Sequence, residues 1–304
     1  MTLEGVLPVL KPEKFTSHDV VAKARRILGI KRIGHTGTLD PAVTGVLPLC
    51  IGRATRMVEY IQELPKVYEA VLLIGISTDT EDLTGTVLQE LEQVTLLEKD
   101  IQSVFHSFLG EIEQTPPMYS AVKVDGKRLY ELAREGKFIE RSSRKVMIHD
   151  IQILDVDVSL KHPEVRFRVK CSKGTYIRTL CADLGKALGY PSVMKHLIRT
   201  STGNIDIEQC LSFEQIEQYK AEGTLERYLI PLDVAVSHLP AVGLSSLQAE
   251  HALQGKSIAW QGSPLGDSPN DSALCRVYDP NHKFLGLFQW KETTSNLTPV
   301  KVFH

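Results

Sequence analysis

The sequence predicts an α+β protein with a separate, small β-rich domain at its C-terminal end. Three observations carry this prediction. An amphipathic helical stripe follows Thr16, and a second begins near Tyr176. Two strands stand between them, one almost wholly apolar from Val67 to Ile76 and one cleanly alternating from Val165 to Cys171. After Asp233 the texture changes to short β-like runs separated by Gly, Pro, Asn and Asp. A chain of 304 residues is about two domains at the usual ~150 residues each.

The first helix is capped by Thr16 or Ser17, carries Val20, Val21, Ala24, Ile27 and Leu28 on one face, and stops at Gly29. Lys23, Arg25 and Arg26 lie off that stripe. The Val67–Ile76 strand is followed by a polar turn, Ser77 to Gly85, a partner strand, Thr86 to Leu91, and a helix over 97–109. Thr115 to Gly136 mixes prolines, a DG turn, aromatics and basic residues; it is a poor core and reads as an excursion over a ligand. In the Val165–Cys171 strand, Arg166, Arg168 and Lys170 form a basic outer face. The Tyr176 helix places Ile177, Leu180, Cys181, Leu184 and Leu188 on its apolar side. A domain boundary falls near residue 237, before the β runs Leu274–Tyr278, Phe284–Trp290 and Pro299–Phe303.

Several function classes are excluded. Five scattered cysteines without a CxxC pair indicate neither a disulfide framework nor a cysteine zinc site. The opening MTLEGVLPVLKPEK lacks the basic and apolar regions of a signal peptide, so a cytoplasmic protein is expected. The most apolar stretch, Ala70 to Ile76, is too short to span a bilayer. Gly255-Lys256-Ser257 resembles the end of a P-loop, but the earlier glycine would fall at Glu250. There is no GxGxxG, HExxH or GxSxG. Asp79, Glu81 and Asp82 lack EF-hand spacing and read as a solvated turn. An enzyme built this way works with side chains alone, and neither cofactor nor metal is expected.

The formal net charge of −2 argues against a nucleic-acid binder until it is resolved along the chain. Residues 1–60 hold nine Lys/Arg against five Asp/Glu, and residues 61–119 hold two against eleven. Residues 120–200 hold seventeen against nine, and residues 201–304 seven against twelve. Two basic blocks are hidden in a near-neutral total. The first contains GHTGTLDPAVTG at residues 34–45, a constrained loop in which Asp40 directly precedes Pro41. Asp40 either caps a short helix begun by the proline or stands as a rigid carboxylate at a cleft.

The longer run GHTGTLDPAVTGVLPLCIGRATR resembles the signature of the TruB family of tRNA pseudouridine synthases. The likeness extends, in the family's order, through Lys11-Pro12 with Thr16-Ser17, Lys66-Val67-Tyr68, STDTEDLTG, TPPMYSAVKVDGKRLYELAREG, SKGTYIRTLCADLG and Leu197-Ile198-Arg199. It covers roughly residues 3–235. The resemblance implies a mixed, largely antiparallel sheet flanked by helices over residues 1–236, with an RNA-binding excursion at about 115–145. It implies a PUA-like domain over 237–304. The implied activity is cofactor-free isomerisation of the T-loop uridine of tRNA, conventional position 55, by a monomer that needs no protein partner and no membrane.

The resemblance also assigns residues. Asp40, Tyr68 and Arg178 are implied to be catalytic, and Lys11, His35, Tyr176, Leu197 and Arg199 to bind substrate or RNA. The chemistry agrees. Breaking a glycosidic bond leaves the sugar electron-poor, and a carboxylate can stabilise or attack it. A guanidinium such as Arg178 would orient that carboxylate by paired hydrogen bonds. Tyr68 offers a ring on which an extruded base stacks, Leu197 an apolar wall, and Lys11 a phosphate contact. His35 is implied to help splay the loop. One departure is visible: the family has Asp-Lys-Pro and then a glycine two residues after the proline, whereas this chain reads Leu10-Lys11-Pro12-Glu13-Lys14. Two other readings stay open. A guide-directed relative acting on ribosomal RNA would carry charged tails and a fuller C-terminal domain, which this sequence does not show. The other is a tRNA-binding folding helper whose catalysis is secondary or lost; intact Asp40, Tyr68 and Arg178 argue against loss, and folding assistance can coexist with catalysis.

Overall fold

The computed structural model describes residues 3–124, 126–137, 139–260 and 272–304. The chain begins with β1 (Gly5–Lys11), α1 (Ser17–Leu28), β2 (Ile33–His35) and β3 (Thr44–Ile51). Thr16 caps α1 in a capping box with Asp19, and Gly29 ends it in the left-handed conformation. Then come α2 (Val58–Glu63), β4 (Lys66–Ile74), the hairpin β5 (Ile76–Thr78) and β6 (Val87–Glu90), α3 (Glu98–Ser107) and β7 (Gly110–Gln114). Among its described residues the excursion holds β8 (Lys123–Val124), β9 (Lys127–Arg128) and α4 (Leu129–Arg134). After it run β10 (Arg144–Asp157), β11 (Glu164–Cys171), α5 (Ile177–Leu188), β12 (Ser192–Thr202) and β13 (Ile205–Asp206). Helices α6 (Phe213–Ala221) and α7 (Leu232–Ala235) complete this part.

The principal sheet has the order β1-β3-β12-β4-β11-β10-β7, with β2 paired to β3 and β13 to β12. β3 and β12 run parallel, and the other described pairings in this sheet are antiparallel. The mixed, largely antiparallel α+β expectation therefore holds. β11 alternates buried and exposed residues, as its sequence requires. Its buried face joins Tyr68, Ala70, Leu72 and Ile74 of β4 in one core, covered by Ile177, Leu180, Cys181 and Leu184 of α5. Burying each large aliphatic side chain contributes about 1.5–3 kcal/mol before entropy is counted. β3 is buried on both faces, by α1 and α6 on one side and by Met57 and Ile61 on the other.

Two expectations are refined. The apolar strand ends at Ile74, because Gly75 turns the chain at φ +108°. The segment after the polar turn forms β6, which pairs only with β5 and lies fully exposed.

The C-terminal part contains β14 (Ala241–Gly243), α8 (Ser246–Leu253), β15 (Ile258–Ala259), β16 (Ser272–Tyr278), β17 (Phe284–Lys291) and β18 (Asn296–Val302). They form a five-stranded sheet in the order β14-β16-β17-β18-β15. Leu287 and Phe303 share a core with Val6, Met57 and Ile61, so the small sheet is seated on the β1–β3 end of the large one. No described helix is long and apolar enough to cross a membrane.

Candidate active site

The loop between β2 and β3 is fixed from several sides. Ser17 Oγ, at the start of α1, accepts from Leu39 N at 2.9 Å. Lys11 Nζ, fully buried, donates to the carbonyls of Pro12, Pro41 and Val43 at 3.0, 3.1 and 2.6 Å. Arg199 Nε donates to Val46 O at 2.7 Å, and its Nη2 reaches Gly37 O at 3.4 Å. Val43 N donates to Asp40 O at 3.0 Å, closing a turn with Pro41 in its second position. No helix follows, which removes the helix-cap reading of Asp40.

Lys14 settles the departure noted above. It stands where the family has glycine, and its φ is +68°, the left-handed region that glycine favours. Its N–H donates to Pro41 O at 2.8 Å. Lys14 takes this conformation at the cost of backbone strain.

Asp40 Oδ2 lies 2.9 Å from Arg178 Nε; the side chains are 41% and 5% exposed. Arg178 sits in the first turn of α5. Its Nη1 donates to Thr80 O and its Nη2 to Tyr119 O, both at 2.9 Å. The expected paired hydrogen bonds to Asp40 are thus replaced by one contact through Nε. The other two nitrogens anchor the guanidinium to the polar turn and to the excursion.

Tyr68 and Leu197 lie on the neighbouring strands β4 and β12 and share a core cluster with Leu39 and Val43 of the loop. Burial pushes the Tyr68 phenol above its usual pKa, and a hydrogen bond with Arg199 works against this. His35 is largely buried, edge-on to His18 with ring centroids 5.3 Å apart, and its Nδ1 accepts from Gly37 N at 3.3 Å. Burial and the nearby His18 and Arg199 lower its pKa to about 4, so it is neutral at pH 7. Tyr176 caps α5, exchanges two hydrogen bonds between its backbone and the Gln114 side chain, and packs under the Arg144 guanidinium at 4.8 Å.

Three sequence expectations need correction. Lys11, expected at a phosphate, and Arg199, expected at the RNA, are both enclosed in the protein. Lys11 donates to loop carbonyls, and Arg199 to Val46 O of β3, to Gly37 O and to the Tyr68 hydroxyl, so they brace the Asp40 loop. Burial lowers the Lys11 pKa to about 8, with Asp40 opposing and Arg199 adding to the shift. The acidic turn is not simply solvated. Asp82 accepts from Thr80 Oγ1 at 2.7 Å and Thr84 N at 2.9 Å, and lies 3.9 Å from Arg178 Nε. Glu81 adopts φ +63° and accepts from Thr179 Oγ1 at 2.6 Å, tying the turn to α5; burial raises its pKa.

Sequence reasoning missed Ser17 Oγ, Thr80 O and Tyr119 O as parts of the site. Two of these are backbone atoms, which carry no residue signature. Among the described residues, no cluster of three or more His, Cys, Asp or Glu could hold a metal ion.

Comparison with known proteins agrees with this geometry. Residues 25–177 match the TruB family pseudouridylate synthase N-terminal domain, and residues 178–237 match the tRNA pseudouridylate synthase B C-terminal domain. The division at 177/178 runs through the sheet, since β12 inserts between β3 and β4. A tRNA pseudouridine synthase B of Geobacillus thermodenitrificans is 48% identical over 83% of this chain and 85% of its own length. One of Bacillus pumilus is 42% identical over 99% of this chain and 97% of its own. A chain of an H/ACA RNP bound to a substrate RNA containing 2′-deoxyuridine superposes with a TM-score of 0.76 at 25% identity, covering 100% of this chain and 86% of that one. A loop carboxylate held by a buried arginine, in a sheet of this order and with relatives this similar, places the chain in the TruB family of pseudouridylate synthases, an isomerase family.

Proposed function

We propose that this enzyme isomerises uridine 55 in the T-loop of tRNA to pseudouridine, with Asp40 as the catalytic carboxylate. The carrying observation is the Asp40–Arg178 contact at 2.9 Å, a half-exposed acid held by a nearly enclosed guanidinium. The reaction breaks the N1–C1′ bond, turns the uracil and joins C5 to C1′; C5 loses its proton and the freed N1 takes one up. Substrate and product are isomers, so no co-substrate enters the balance.

As N1 departs, ribose C1′ becomes electron-poor. Asp40 stabilises that centre as an ion, attacks it, or takes a neighbouring proton; each role needs a carboxylate fixed against the nucleotide. Arg178 supplies the fixing, since its other nitrogens are bound to carbonyls and it cannot swing away. Tyr68, Leu39, Val43 and Leu197 supply an apolar wall with few polar contacts, suited to holding a detached uracil while it turns. Extruding the uridine costs a few kcal/mol. A neutral His35 beside His18 fills space next to the loop without carrying charge into it.

Identity of 42–48% to proteins named tRNA pseudouridine synthase B, against 25% to the H/ACA chain, supports tRNA rather than a guide-directed substrate. The test is an unmodified tRNA transcript incubated with purified protein alone and mapped chemically at single-nucleotide resolution. Pseudouridine at T-loop position 55 is expected. An unchanged T-loop, or product elsewhere only, would overturn the reading.

A further inference from the structure

Gln114 is a polar side chain enclosed where the excursion begins. It ends β7, is 1% exposed, and stands directly opposite Arg144, where β10 resumes the sheet. The two roots of the excursion therefore face each other across one strand pair. Burying an amide costs free energy unless its oxygen and its nitrogen are both paired. Here both are, and by the same residue. Gln114 Oε1 accepts from Tyr176 N at 2.7 Å, and its Nε2 donates to Tyr176 O at 2.9 Å. Arg144 closes on that residue too, with its guanidinium 4.8 Å from the centre of the Tyr176 ring, and its Nη2 donates to Gly174 O.

Tyr176 stands at the N-cap of α5 and gives the helix no side-chain cap. Its backbone is held from outside instead. Arg178 follows in the first turn, only ~3 Å along the axis at ~1.5 Å per residue, so a shift of Tyr176 carries Arg178 with it. Arg178 Nη2 in turn donates to Tyr119 O, which lies beyond Gln114 along the excursion. Two cross-links thus join the same two segments, Gln114 to Tyr176 and Tyr119 to Arg178. The first is a clamp on the backbone; the second is made by the guanidinium that holds Asp40. Without the clamp, Arg178 alone has to hold the excursion to α5 at this point while also orienting the carboxylate.

We propose that Gln114 is a positioning residue for the isomerisation: by clamping the Tyr176 backbone it fixes the turn of α5 that carries Arg178, and through Arg178 the orientation of Asp40. The inference rests on the isomerase reading above, with Asp40 and Arg178 at the reaction centre.

The test uses Gln114→Met in the full chain, a side chain of similar size without the amide. Thermal unfolding sets a temperature at which the variant stays folded. Single-turnover rate and affinity are measured separately on unmodified tRNA transcript, with the substitution placed in the wild-type chain and in an Arg178→Lys chain. In the wild-type chain the rate is expected to fall about 30-fold, as it does when a reacting group is misplaced, with affinity kept within about threefold. In the Arg178→Lys chain the same substitution is expected to lower the rate by less than about threefold, because Gln114 acts through Arg178. A fall of less than about threefold in the wild-type chain, an affinity lost as much as the rate, or the full loss repeated in the Arg178→Lys chain overturns the proposal. A residue that serves folding alone gives one of these three outcomes. Should Gln114→Met not fold, Gln114→Glu keeps the acceptor for Tyr176 N, loses the donor to Tyr176 O, and is read against the same limits. Wild-type protein that forms no pseudouridine overturns the isomerase reading itself, and the wild-type arm reports that separately.

Discussion

At the residue scale, the site is a carboxylate whose neighbours have no freedom to move. Arg178 spends three nitrogens in three directions. Lysine offers one point charge and no planar fork. Arg178→Lys is therefore expected to leave Thr80 O or Tyr119 O without its partner, costing about 1–3 kcal/mol of stability. Single-turnover rates should fall ~100-fold or more as Asp40 loses its orientation. Denaturant unfolding and rapid-quench kinetics measure the two effects.

His35 carries a pH signature. Its folded pKa of about 4 lies below the unfolded value of 6.5. Between those values the unfolded chain binds more protons, so stability falls as pH drops through that window. The loss is about 2 kcal/mol after discounting residual exposure. Urea titrations from pH 7 to pH 4 should show it, and His35→Asn should flatten that part of the curve. A wild-type curve as flat as the variant's would contradict the assigned burial. The identities of Asp40, Tyr68 and Arg178 were legible in the sequence because long family motifs surround them. The enclosure of Lys11 and Arg199 was not, because a basic residue reads as solvent- or RNA-facing until its burial is seen.

At the element scale, the site depends on a crossing of strands. β3 and β12 pair in parallel at only Thr44–Ile198 and Gly45–Arg199, and that contact brings Arg199 under the Asp40 loop. Gly45 permits it: φ is +112°, and an added Cβ would meet Arg199 O at 2.1 Å. Gly45→Ala is expected to destabilise by about 3 kcal/mol or more through strain and overpacking. Activity should fall at temperatures where the fold survives, measured by parallel melting and turnover curves.

Helices α1, α3 and α5 and the two hydrophobic strands were legible from the sequence pattern; the shorter helices α2, α4, α6, α7 and α8 were not. β12 was not, because its alternation is broken by Lys195, His196 and the register shifts beside them. The turn over 77–85 was misread as solvent-facing, since its acids look like surface residues until Thr179 and Arg178 are packed against them.

At the scale of the whole molecule, net charge misleads and its distribution informs. Buried Lys11 of the first basic block and buried Arg199 of the second brace the loop, while Arg25, Arg26, Lys31 and Arg32 are exposed along α1 and the turn before β2. RNA binding should therefore weaken steeply with salt, by ~1,000-fold between 50 and 200 mM for about six phosphate contacts. A flat response in a filter-binding titration would remove the electrostatic account. The C-terminal sheet was legible as short β runs, but its seating on β1 and β3 through Leu287 and Phe303 was not, because no local pattern announces a shared core.

Spreading RNA affinity over the surface while confining chemistry to one loop makes the two separable. Asp40→Asn, measured for both pseudouridine formation and tRNA affinity, tests this most directly. Turnover should fall below detection, at least ~1,000-fold, with affinity kept within threefold. Turnover within tenfold of wild type, or a collapse of binding along with activity, would contradict the assignment of Asp40 as the catalytic carboxylate.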